Sequence, residues 1–112
     1  MNVTRCVDAK AYEAPFHHGC AALRLQGAEA STLPTFWVGV SHFLPGGGAD
    51  WDATNAQKVY VVVKGQVTIE TESEKADLGP GDSVWLAPGD RRRVMNLTNM
   101  PASMLVVASS PR

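Results

Sequence analysis

Residues 45–65 read PGGGADWDATNAQKVYVVVKG. Pro45 sets a bend and the three glycines after it permit positive φ, so the stretch opens on a reversal. It then enters the β-branched and aromatic run Val59, Tyr60, Val61, Val62, Val63, which suits a pleated, half-buried strand. Lys64-Gly65 separates two strand patterns by only two residues and predicts a tight hairpin between 60–63 and 66–69. The same grammar returns at 79–96, GPGDSVWLAPGDRRRVMN, where Gly-Pro-Gly-Asp and Pro-Gly-Asp bracket a short strand. Asp82 is placed to hydrogen-bond the amides of its own loop.

On either side of these stretches, short β-branched or aromatic runs occupy 20–25, 36–44, 58–63, 66–72, 75–78, 83–86, 92–97 and 103–108. No helical apolar period persists and there are no internal repeats, so the expected fold class is all-β, a sandwich or barrel of antiparallel strands. Residues 1–19, with weaker periodicity, read as an N-terminal arm with edge strands, and residues 20–112 as the barrel of a single domain.

Hydrophobic residues make up 45% of the 112 and charged residues 19%, far from the signature of disorder. Ten basic against eleven acidic residues give a formal charge of -1, so no global field favours nucleic acid or an anionic membrane. Arg91-Arg92-Arg93 is too short for a polybasic tract, and strand alternation sends its members to opposite faces. No segment approaches the ~20 apolar residues of a membrane span, and the first residues lack a secretory pattern. The expectation is a cytoplasmic protein with no membrane or nucleic-acid partner, in which Cys6 and Cys20 stay reduced.

From Phe43 through Val107 the chain resembles a cupin. The first motif of that family is a Pro-Gly-rich loop, a His-x-His pair, a Glu or Gln three or four residues later, and a strand ending in Gly. The second is Gly-Asp, a strand, Pro-x-Gly, a His and then an Asn. The glycine, Gly-Asp and Pro-Gly framework of 45–65 and 79–96 matches in order and spacing. The resemblance implies a double-stranded β-helix, or jelly-roll barrel, usually a homodimer, with its site in the barrel mouth.

The positions that hold a metal in that family are substituted. Counting back from the 60–63 strand places the Glu or Gln on Gln57, and the histidine pair on Trp51 and Ala53 or on Asp50 and Asp52. The second-motif histidine falls on Arg92 or a neighbour, and a guanidinium has no lone pair to give. The expectation is therefore no metal and no cofactor, unless His17 or His18 reaches in from the arm to build an atypical, oxygen-rich set. An Arg92 in the cavity needs a partner, either Asp50 or Asp52 internally, or the carboxylate or phosphate of a ligand held bidentately.

The candidate substrate-binding residues are Arg92, Gln57 and Trp51, which borders the mouth. The candidate acid-base residues are Asp50, Asp52 and His42, the last reading as inward with Val38, Val40 and Leu44. Together they describe a metal-independent barrel binding a small organic acid, aromatic or aliphatic, and performing isomerisation, cyclisation, dehydration or decarboxylation. The alternative from another class is a non-catalytic binding or accessory module.

Overall fold

The computed structural model describes residues 1–110. Among these residues nine strands follow a short 3₁₀ turn at Cys6–Asp8: β1 (Lys10–Ala11), β2 (His17–Gln26), β3 (Phe36–Asp52), β4 (Lys58–Lys64), β5 (Val67–Thr71), β6 (Lys75–Leu78), β7 (Ser83–Leu86), β8 (Arg92–Met95) and β9 (Ala102–Ser109). All pairings are antiparallel, and the order β6-β5-β8-β3-β9-β4-β7, with β2 and then β1 added on β3, wraps into a nearly closed jelly-roll barrel. Among the described residues there is no α-helix, and no helix long and apolar enough to cross a membrane.

The strand β3 carries the architecture. Its first half, from Phe36 to Phe43, pairs with β9, and its second half, from Gly48 to Asp52, pairs with β8. Pro45-Gly48 is not the reversal the sequence predicts: the strand runs on through it and only exchanges one partner for the other, and glycine is required because the backbones meet there, a Cβ on Gly48 sitting on the Val94 carbonyl. Beyond the bend, the register slips between Ala49 and Asp52, the signature of a β-bulge, which re-aims the side chains that follow.

Lys64-Gly65 is not the hairpin the sequence predicts. β4 pairs with β7 and β9, while β5 pairs with β6 and β8, so these two residues carry the chain across from one half of the barrel to the other. Gly65, at φ 73°, passes so close to β9 that a Cβ would lie 2.7 Å from the Pro101 carbonyl oxygen. Close approach to another strand, rather than a two-residue primed turn, is what requires glycine here. Asp82 and Asp90 do close their loops: Gly79 N–H donates to Asp82 Oδ2 at 2.9 Å, and Ala87 N–H to Asp90 Oδ2 at 2.9 Å.

The barrel core is Phe43, Tyr60, Val62, Val67, Ile69, Val94 and Met104 with their neighbours. One polar side chain organises its far end. Asn96 is fully buried; its Nδ2 donates to the carbonyls of Phe43, Leu44 and Met100 at 3.3, 3.3 and 2.8 Å, and its Oδ1 accepts from Thr98 N–H and Oγ1 at 3.0 and 2.8 Å. Removing that amide strands buried carbonyls at a cost of about 1–3 kcal/mol each. Asn96→Ala is therefore expected to lower the unfolding free energy by roughly 2–4 kcal/mol in urea denaturation, whereas a surface position would shift it by less than about 0.5.

Candidate functional site

The inward faces of the strands enclose a cavity of about 260 Å³. Strand alternation on β3 turns Trp37, Ser41 and Phe43 into it, and the bulge delivers Asp52 beside Thr54. β4 contributes Lys58 and Tyr60, and β8 contributes Arg92 and Val94. The N-terminal arm closes one side with Tyr12, Glu13 and His17, next to Arg24 of β2. That arm is held by a strained link: Phe16 sits at φ 61°, its carbonyl accepts from Asp50 N–H at 3.0 Å, and the neighbouring residues are thereby pointed at the cavity.

Arg92 is the buried charge of the site, with 5% of its surface exposed. Its Nε donates to the Tyr60 hydroxyl at 3.0 Å and its Nη1 to the main-chain carbonyl of Asp50 at 3.1 Å. Nη2 makes no hydrogen bond among the described residues. It is not sealed in either, since among the described residues the buried side-chain nitrogen left without a partner is Arg93 Nε. The free end of the guanidinium therefore meets the cavity that Arg92 lines.

Lys58 stands beside it, half-buried, with no hydrogen bond and no ion pair among the described residues. Burial pushes its pKa down, the Arg92 cation pushes further the same way, and Asp52 partly opposes both. His17 donates through Nδ1 to the Pro15 carbonyl at 2.8 Å. Burial lowers its pKa, the Pro15 bond opposes this, and Arg92 and Lys58 add to the lowering. Arg24 lies over the rings of Tyr12 and Trp37, 3.7 and 4.2 Å from their centroids, with Nε donating to Glu29 at 3.0 Å.

Of the residues singled out in the sequence, Asp52 and Arg92 meet in the cavity, and four do not. Asp50 turns outward, where its carboxylate faces His18 Nε2 at 3.3 Å, so it offers Arg92 only its carbonyl oxygen. Of the two partners open to Arg92, the internal ion pair does not form, because neither Asp50 nor Asp52 places a carboxylate within 4 Å of the guanidinium among the described residues. Trp51 lies on the outer face under Arg91 and Arg93, whose guanidinium carbons are 5.1 and 5.2 Å from its ring. His42 is exposed and bonds Ser103 Oγ at 2.8 Å, since Ser41 and Phe43 take the inward positions of β3. Gln57 is exposed and accepts from Trp85 Nε1 at 3.2 Å.

Each displacement is a one-residue effect, and a one-residue slip on a strand exchanges the two faces. With the inward position of β4 taken by Lys58, the family's histidine pair corresponds to Asp52 and Thr54, with three residues between Thr54 and Lys58, and its last histidine to Arg92. That set offers one carboxylate and one hydroxyl among two cations, which does not fit a divalent metal. Among the described residues no cluster of three or more His, Cys, Asp or Glu side chains exists that could hold a metal ion. Sequence reading missed Lys58, Glu13 and Tyr12; the glycine at 65, counted back along β4, was the signal available for Lys58.

Residues 39–108 match the family described as the cupin domain, and the chain belongs to that family. A β-D-galactosidase of Mycobacterium tuberculosis is 40% identical over 111 residues, spanning 99% of this chain and 96% of that protein. Among solved structures, the polyketide cyclase RemF from Streptomyces resistomycificus superposes with a TM-score of 0.86 over all of this chain and 81% of its own, at 17% identity. KdgF from Halomonas sp. does so with a TM-score of 0.81, over all of this chain and 96% of its own, at 17% identity.

His17 makes the cavity wall sensitive to acid. Its pKa in the fold lies below that of the unfolded chain, so its neutral form costs nothing above the ordinary histidine value of about 6.5. As the pH falls through that value the unfolded chain takes up a proton that the folded one refuses, and stability is lost. Melting temperatures between about pH 7.5 and about pH 5.5 should drop less for His17→Gln than for the unmutated protein; parallel curves would refute this role.

Proposed function

We propose that this chain is a metal-independent glycoside hydrolase whose barrel takes one sugar ring. The observation that carries the reading is a cavity holding two carboxylates, partly buried Asp52 and Glu13 at the mouth, in a chain 40% identical along its length to a protein named as a β-D-galactosidase. Glycoside hydrolysis runs through an oxocarbenium-like transition state flanked by two carboxyl groups, one protonating the departing oxygen and the other attacking or activating water. A cavity of about 260 Å³ falls just below the ~300–1,000 Å³ of sites for drug-sized ligands, a size suited to a single ring. The chemistry is assigned to side chains because the positions of the family's metal hold Asp52, Thr54, Lys58 and Arg92.

A second reading is favoured by the two cations of the cavity: a small organic acid clamped by Arg92, with proton transfer at Asp52 and the developing enolate stabilised by the guanidinium. Turnover separates the two. Protein dialysed against a chelator should hydrolyse a nitrophenyl β-D-galactoside, and Asp52→Asn and Glu13→Gln should each lower kcat by roughly 10²–10⁴ with the melting temperature retained. Binding without turnover would favour the accessory module, and activity appearing only with added metal would overturn the metal-independent part.

We also propose a homodimer built on the outer face of the barrel. Leu23, Val40, Leu105 and Val61 stand side by side across β2, β3, β9 and β4, and Val38, Val107, Val59 and Trp85 form the next row. Most of these side chains are partly exposed, and monomers seldom leave so continuous an apolar face in water. A two-fold axis through such a face would cover it with its own copy. Leu105→Glu is expected to convert a dimer to a monomer in light scattering, and an unmutated protein that is monomeric would refute the interface.

A further inference from the structure

We propose that the ligand of this cavity carries an anionic substituent, seated between Lys58 and the free Nη2 of Arg92, so that an acidic pyranoside is bound in preference to a neutral one. The inference rests on the sugar-ring reading above and names the class of sugar.

The charges of the cavity do not cancel within the protein. Lys58, Arg92 and Arg24 are its cations, and Asp52 and Glu13 its anions. Arg24 is answered from outside by Glu29 at 3.0 Å. Glu13 is at the exposed mouth, and the Asp52 carboxylate accepts from the Ala53 N–H at 2.9 Å while forming no ion pair within 4 Å among the described residues. Lys58 and Arg92 are thus adjacent cations, one without a partner among the described residues and the other bonded only to a neutral hydroxyl and a neutral carbonyl. A charge buried to 5% exposure is unfavourable unless a counter-charge answers it, and a second cation beside it deepens the cost.

An anion entering between them removes that cost. The Tyr60 hydroxyl and the Asp50 carbonyl fix the guanidinium plane, so Nη2 is aimed before the ligand arrives and little side-chain freedom is lost on binding. The lysine is a mobile point charge that can close on the same group. A carboxylate, a phosphate and a sulfate share this chemistry. A single ring in a cavity of about 260 Å³ leaves room for such a substituent at the edge of the ring, while the glycosidic bond lies towards Asp52 and Glu13.

The test is calorimetric titration of the full chain with galactose, galacturonate and galactose 6-phosphate, with inorganic phosphate as the competitor. The acidic sugars should bind at least about tenfold more tightly than galactose, with inorganic phosphate displacing them. Whichever of the two acids binds more tightly identifies the anion as carboxylate or phosphate. Lys58→Met should abolish the preference while the cavity stays folded, and Arg92→Lys, which keeps charge but not the fork, should reduce it. Equal affinity for galactose and the acids, or a preference unchanged in Lys58→Met, overturns the inference. Hydrolysis of a neutral galactoside without acid preference would sink this inference and leave the hydrolase standing. Acid preference without hydrolysis of any galactoside would do the reverse.

Discussion

A guanidinium buried in the mouth of the barrel is the constraint on which the site depends. Arg92 cannot give up its charge, so the fold has to provide acceptors where water is excluded. Tyr60 supplies one from β4 and the main chain of Asp50 supplies another from β3, which ties three strands together at the mouth. Both acceptors are neutral. The arrangement satisfies hydrogen bonds without neutralising charge, and a positive site is the result. Lys58 and His17 feel the same field, and each has its basicity lowered first by burial and then by this guanidinium.

The fold was legible because its signals are local. Turn chemistry at Gly79-Asp82 and Pro88-Asp90, together with the β-branched runs around them, marks strands without reference to any distant contact, whereas Pro45-Gly48, read by the same local rule as a reversal, lies inside β3. The failure at Lys64-Gly65 is instructive for the same reason. A two-residue glycine break has the same local appearance whether the chain doubles back on itself or crosses to the other side of the barrel. Only the proximity of Pro101 and Ala102 to Gly65, set by strand β9 some forty positions later, distinguishes the two.

The site was legible in part, and the part missed follows from strand geometry. Facing alternates every residue, so any uncertainty of one in the alignment of a motif exchanges cavity for surface. Gln57 and Lys58 trade places in this way. The bulge between Ala49 and Asp52 has the same effect on Asp50, Trp51 and Asp52, and no composition rule announces a bulge of this kind. His42 went astray because its supposed companions, Val38, Val40 and Leu44, form an apolar outer face rather than a core. An apolar stripe on a strand does not by itself say which face of the barrel it lies on.

The arm contributes what no periodicity could reveal. Tyr12, Glu13 and His17 reach the cavity only because β1 and β2 pair along the edge of the barrel and Phe16 adopts a left-handed conformation against β3. Such a conformation in a large aromatic residue persists only where its surroundings over-determine it. Here the Asp50 N–H bonds the Phe16 carbonyl while the Asp50 carbonyl bonds Arg92. One peptide neighbourhood on β3 thus fixes both the buried cation and the arm that brings the second carboxylate. Losing either contact would be felt at the other, since both depend on how the bulged end of β3 is held.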